Sequence, residues 1–428
     1  MTATATQTPP PAAAKTAGGK GGRARLSVPV ILLIVAAVLV VVSAVRAIAG
    51  ADDVTSSGQM AGALTGAVPI ALAGLGGLWA ERAGVVNIGL EGMMILGTFF
   101  GAWAGWSLSP WMGVLAGILG GMAGGLLHAI VTVTFGVDHI IAGVAMNILA
   151  AGVTAYLAKR IFNVGQAATE GGTPKQSPPI DDIKSFTVPW LSHQLSSLEK
   201  HHWFLVSDLA GIVGGLVTNI SSLTLLAVLL FVGTFFVLWR TSFGLRLRSC
   251  GENPVAAESL GVNVYLYKYV AVTVSGGLAG LGGVFLAIGT HFYLEGQTSG
   301  RGYIGLAAMI FGNWRPGGLA MGAGLFGYAD SLQLRSGSDS VHALLLLLAV
   351  LLLAMAIWKY VRKAYISAGF ALGFAVLLAV WYMTTDTVPS EVVQASPYVA
   401  TLLVMGLFSQ RLRMPKADGL PYRKGQGG

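Results

Sequence analysis

Apolar runs recur along the whole chain, at 28–49, 60–80, 87–107, 111–135, 138–158, 211–239, 268–290, 302–335, 341–358, 365–384 and 396–410. Most are long enough to cross a bilayer, which takes about 20 residues as a helix. Inside a bilayer only helices and closed barrels satisfy their own backbone. Alternating ten-residue barrel strands are absent. The expected fold is therefore all-α: a polytopic transmembrane helical bundle of about 10–12 spans, occupying residues 28–410. With 10% of residues charged, against about 25% in soluble domains, there is too little polar surface for water on all sides. The 60 glycines suit helices that approach closely in lipid.

The net charge of +8 suggests nucleic acid, but its distribution argues against that partner. Positive residues gather beside the apolar runs, as topology signals do. Residues 1–27 hold Lys15, Lys20, Arg23 and Arg25 and no acidic residue; they read as a disordered basic cytoplasmic tail. The run at 28–49 is too long for a signal peptide core and reads as an uncleaved first span. Counting sides from there places loop 240–267, with Arg240, Arg246 and Arg248, in the cytoplasm. Lys359, Arg362 and Lys363 follow, provided that 302–335, interrupted by "GNWRPGG", crosses twice as short or re-entrant spans. The basic tail 411–428 also falls inside, while Asp52, Asp53, Asp386 and Glu391 fall outside. Residues 159–210 form one long extracytoplasmic loop, in which "WLSHQLSSLEKHHWF" suits an interfacial amphipathic helix with Trp190 and Trp203 at headgroup depth. His193, His201 and His202 there read as solvated, and no metal site is expected. The one cysteine, Cys250, precludes an intrachain disulfide and reads as an unreactive thiol. No fixed-period repeat is visible, which leaves open an inverted repeat too diverged to see.

One stretch breaks the apolar pattern. In "SCGENPVAAESLGVN", residues 249–263, Asn253 suits an N-cap and Pro254 the first helical position. Gly261 suits the stop. The product is a helix of about two turns, marginal by itself, so something must hold it. Its small side chains (Ala256, Ala257, Ser259) admit a close surface, either its own protein or a soluble partner. Polar groups inside the runs are the other candidates, because a carboxylate in the bilayer centre faces a partner or a cavity. Asn87 and Glu91 are four apart, which puts them on one helix face. Asn147 lies mid-run, and Asn313, Trp314 and Arg315 lie at the interruption of 302–335. Each has a packing role or a place along a solute path as its reading. Trp79, Trp103 and Trp106 read as anchors or packing.

The same residues carry a resemblance. "GLRLRSCGENPVAAESLGVNV" resembles the cytoplasmic loop of ABC importer permeases that forms their coupling helix. "GGLWAERAGVVNIGLEGMMILGTF", residues 76–99, and "GLAAMIFGNWRPGGLAMGAGLFGYADSLQ", residues 305–333, resemble signatures of nucleoside and simple-sugar permeases in the branched-chain amino acid permease family. The pattern is nearest to the second permease of bacterial nucleoside importers. It covers residues 60 to about 385; the basic tail, the first span, the enlarged outer loop and the last span depart from it.

That resemblance implies a non-catalytic subunit in the bacterial cytoplasmic membrane, with no catalytic residue, no metal and no cofactor bound by this chain. It implies three protein partners besides membrane lipid: a cytoplasmic ABC ATPase that uses the ATP, a second homologous permease, and an extracytoplasmic substrate-binding lipoprotein. The absence of a G-x-x-x-x-G-K-[ST] loop agrees. By analogy, Gly251, Glu252, Asn253, Pro254, Ala256, Ala257 and Gly261 face the ATPase, so Ala257→Arg should abolish uptake by forcing bulk into that contact. Asn87, Glu91, Asn147 and Asn313 are the path candidates. An ion-coupled secondary transporter needs more intramembrane carboxylates than Glu91, and no H-E-x-x-H motif points to an intramembrane enzyme. The substrate, a nucleoside, a simple sugar or another small polar solute, is left open.

Overall fold

The computed structural model describes residues 28–162, 176–335, 337–389, 391, 392, 395 and 412–425. The expectations for 1–27 and 396–410 lie outside them. In chain order the helices are α1 (Val28–Ala49), α2 (Ser57–Arg82), α3 (Leu90–Ser107), α4 (Pro110–Ala129, extended by a π-turn over Ile130–Thr134) and α5 (His139–Ile161). Then come α6 (Pro189–Glu199), α7 (Val206–Val217), α8 (Ser222–Arg240), α9 (Ser242–Glu252), α10 (Pro254–Ser259) and α11 (Val264–Gly289). The last are α12 (Arg301–Phe311), α13 (Pro316–Arg335), α14 (Gly337–Val361) and α15 (Tyr365–Thr384). Two short strands, β1 (Ser185–Phe186) and β2 (Ile220–Ser221), pair antiparallel.

Seven of these helices are long and apolar enough to cross a membrane. The count covers the described residues; among them α3 and α13 fall short in hydropathy. Glu91, Asp330 and many glycines dilute them. The run 211–239 is not one span. Asn219 adopts a left-handed φ of 53° after α7, and Ser221 then caps a new helix by accepting from Leu223 N. The interrupted run 302–335 is the expected pair: α12 and α13 turn at Asn313 and Trp314, both left-handed (φ 55° and 53°).

Glycine fixes the interior. On α4, Gly117, Gly121 and Gly125 lie four apart, and they face Gly276 and Gly280 of α11 so closely that a Cβ on Gly276 would overlap the Gly121 carbonyl oxygen. Side chains are removed there so that backbones can touch. The seam between α2 and α13 is made the same way, with Gly327 against Ala63 and Ala67 and Gly66 against Gly327.

These seams define an inverted repeat. The 26-residue α2 and α11 pack antiparallel, Gly76 against Ser275 and Gly282 against Pro69. Helix α3 runs parallel to α11 (Gly97 beside Gly280, Gly101 beside Val284), as α12 runs parallel to α2 (Gly305 beside Gly74, Met309 beside Gly77). The helices α4 and α13 return antiparallel on α11 and α2 respectively. The units α2–α3–α4 and α11–α12–α13 thus have the same parts in opposite orientation. Around them, α1 is tied at its outer end, where Arg46 Nε lies 2.9 Å from Asp208 of α7 and Ser43 donates to the same carboxylate at 2.6 Å. The helix α6 lies at the surface with no buried residue and Trp190 exposed, and its Glu199 accepts from Ser57 N at 2.8 Å. The pair α14–α15 packs mainly on itself.

Candidate functional site

Three places carry polar or exposed features that packing alone does not require. The first is the knob formed by residues 249–263. Asn253 caps α10 by accepting from Ala256 N at 3.0 Å, Pro254 opens it, and Gly261 follows it with φ +81°, all as the sequence suggests. The faces differ from expectation. Ala257 is 2% exposed and packs with Cys250, Val264 and Tyr422 of its own chain. Gly251 is buried too: a Cβ there would overlap the Arg82 carbonyl oxygen and lie 3.0 Å from Gly84 N. Neither faces a partner in the free chain, because a two-turn helix needs one side to hold on by. Glu252, Asn253 and Ala256 are exposed, with Pro254 half-buried. Beside them stand Val255 and Leu260, the latter 84% exposed. The sequence signal for these two was an apolar residue in a polar loop. Burial pushes the Cys250 thiol up to about 11, so it stays protonated and inert near neutral pH.

The second place is the gap between α2 and α3. Residues 83–89 turn back into the membrane, so that Leu90 packs against Gly76 and Gly77, about 9 Å inside the end of α2 at 1.5 Å per residue. Asn87 lies in this non-helical segment and shares no helix face with Glu91. Its Nδ2 donates to Ser275 Oγ at 2.9 Å. Glu91, in the first turn of α3, accepts from Gly300 N at 2.9 Å and Gly302 N at 2.7 Å. It therefore fills the N-terminus of α12, where unpaired N–H groups and the helix dipole favour a negative charge. Asn147 does the same for α3: its Oδ1 accepts from Gly92 N at 2.7 Å, and its Nδ2 donates to Ile88 O and to the Tyr303 hydroxyl. Three of the four path candidates thus meet at one depth, each with partners. Asn313 is apart, in the α12–α13 turn, where its Oδ1 accepts from Arg413 N at 2.7 Å.

The third place is a cavity of about 790 Å³ between α2, α8, α11 and α13. Thr65, Phe285, Arg301, Asp330 and Ser331 are among its walls. Arg301, the first residue of α12, pairs with Asp330 at 2.7 Å, and its buried Nε has no hydrogen-bond partner among the described residues. Sequence reading missed this pair, because 29 residues separate its members. The α12 N-terminus that Glu91 fills thus begins with the same residue that lines the cavity.

Residues 59–356 match the family described as branched-chain amino acid transport system / permease component. The guanosine ABC transporter permease protein NupQ of Bacillus subtilis (strain 168) is 33% identical over 84% of this chain and 94% of its own length. The nucleoside ABC transporter permease protein NupC of Lactococcus lactis subsp. cremoris (strain MG1363) is 31% identical over 83% and 93%. A putative glucose ABC transporter permease protein, TsgC13, of Haloferax volcanii is 32% identical over 67% and 80%. No solved structure matches the chain.

Proposed function

The chain belongs to the branched-chain amino acid transport system permease family, a group of multi-pass, non-catalytic ABC transporter subunits, and from that premise we propose that it carries nucleosides into the cell under the power of a separate ATPase. The observation that supports this most is the contact of Gly251 with the α2–α3 break. A partner that seats on the exposed side of α10 pushes, through Gly251, on the segment that leads to Asn87 and Glu91. Glu91 holds the N-terminus of α12, whose first residue, Arg301, lines the cavity. One continuous path of contacts therefore joins an ATPase dock to a solute cavity.

The cavity volume lies in the range of about 300–1,000 Å³ that accommodates small organic ligands. The partly exposed Arg301 guanidinium and Asp330 carboxylate line it and offer a donor and an acceptor to ring hydroxyls or a base edge. Two nucleoside-permease relatives matched over more than four-fifths of the chain favour a nucleoside; the glucose-permease relative favours a sugar as the second reading. In this reading the chain pairs with a second permease, receives solute from a binding lipoprotein outside, and binds no ATP itself.

The test is uptake in proteoliposomes holding the whole complex with ATP inside. Labelled guanosine should accumulate, and excess glucose should leave its rate unchanged; accumulation driven by an ion gradient without ATP would overturn the reading. Docking is tested by Ala256→Arg, on the exposed face, which should cut co-purification of the ATPase at least tenfold. Ala257→Arg should instead lower the yield of folded permease, because that side chain points inward.

A further inference from the structure

The basic C-terminal segment is docked on the rest of the chain. Residues 412–425 lie across the cytoplasmic face, with Pro415, Ala417 and Asp418 turned inward and Arg413, Lys416 and Leu420 outward. Ala417 N donates to Gly251 O at 2.9 Å, and a Cβ on Gly84 would lie 3.2 Å from Ala417 O. Arg413 N reaches Asn313 in the α12–α13 turn. Asp418 sits with its carboxyl beside that of Glu81 in the last turn of α2, whose other side accepts from Trp314 Nε1 at 2.5 Å. Further on, the Tyr422 hydroxyl donates to Glu258 of α10 at 2.6 Å. The Tyr422 ring packs against Tyr265 at 5.4 Å between centroids, with Lys268 Nζ 5.9 Å from it.

One strap therefore touches α10, the α9–α10 junction, the start of α11, the end of α2 and the α12–α13 turn. A helix as short as α10 has little stiffness of its own. A push on it is useful only if it is held to what must move. We propose that residues 412–425 are a coupling brace, in which Tyr422 and Asp418 are positioning residues that make α10 and the α2–α3 break move as one body. The proposal rests on the ATP-driven reading above, and its test separates the two.

The test uses the full complex in proteoliposomes, with three variants: Tyr422→Phe, Glu258→Gln and deletion of 412–428. Uptake, ATP hydrolysis and ATPase co-purification are measured together. The deletion should keep co-purification and hydrolysis while lowering solute moved per ATP at least fivefold. Tyr422→Phe should lower it two- to threefold, and Glu258→Gln, which still accepts from the hydroxyl, should stay near wild type. A deletion with unchanged solute per ATP overturns the proposal. So does loss of co-purification in both the deletion and Tyr422→Phe, since the segment would then serve assembly. If wild type itself shows no ATP-driven uptake, the functional reading fails, and the brace is read independently from spin labels at Ser259 and Lys424. Their separation should stay fixed between nucleotide-free and ATP-analogue states and change in Tyr422→Phe; a separation that changes in wild type overturns the brace.

Discussion

The two halves of the inverted repeat are built alike and finished differently. Each has a 26-residue helix, a break that dips back into the membrane, a helix that starts at depth, and a returning helix sealed by glycine. In the first half the buried start of α3 is filled by the neutral amide of Asn147. In the second, the start of α12 is filled by the carboxylate of Glu91. The supports also differ. The break at 83–89 is held by α9 and the C-terminal strap, whereas the break at 290–300 is held by residues 176–180, with Ser177 and Tyr293 exchanging hydrogen bonds. A shared scaffold thus places a carboxylate beside the cavity at one break and the α9–α10 knob beside the other. Symmetry supplies the positions, and the departures from it supply direction.

The largest effect should come where the halves are most alike. Gly276→Leu in the α4–α11 seam and Gly327→Leu in the α2–α13 seam each force a side chain into backbone. Overpacking costs about 1–3 kcal/mol even where neighbours can shift, and here the neighbours are main chain. Both should abolish folded protein in a detergent melting assay; loss at only one seam would break the equivalence. Next come the two locks. Glu91→Ala leaves two buried N–H groups unpaired, each worth about 1.5–3 kcal/mol as a hydrogen bond to a charge. Uptake should fall at least tenfold, with Glu91→Gln, which keeps an acceptor, losing three- to fivefold while ATPase co-purification holds. Asn147→Ala should cost less than Glu91→Ala, two- to fivefold, since a neutral acceptor is lost; equal losses would remove the distinction drawn between the locks.

The smallest effect concerns pH. Burial and the neighbouring Glu81 carboxyl push Asp418 up to about 9, against the opposing pull of Lys268 and of the Gly419 backbone N–H. The docked strap therefore holds a proton that a released one gives up. Docking is favoured fully below the ordinary carboxylate value near 4 and weakens as pH rises through about 9. Protease cleavage at the tail should accelerate between pH 6 and 9 in wild type, and Asp418→Asn should flatten that rise.

What could be read from the sequence was local. The capped α10 is written in consecutive residues, Asn253, Pro254 and Gly261, and the apolar runs give the helices they suggest. Glu91 stood out because a carboxylate in a run is costly. Its partners did not, since Gly300 and Gly302 lie more than two hundred residues away and act through backbone. For the same reason Ala257 could not be told from Ala256: which side of a short helix turns inward depends on Cys250, Val264 and Tyr422 together. Helical periodicity placed Asn87 on α3, whereas the chain is still turning there. The docking of 412–425 is invisible in a segment whose composition is that of a free basic tail, because it rests on Ala417, Asp418 and Tyr422 meeting three distant elements.

The meeting of Gly84 and Gly251 has a mechanical corollary. Side chains between two moving parts act as cushions: they rotate among rotamers and take up part of any displacement. Here bare main chain abuts bare main chain, so there is no cushion to compress. A displacement at Gly251 therefore reaches the re-entrant turn at Gly84 undamped.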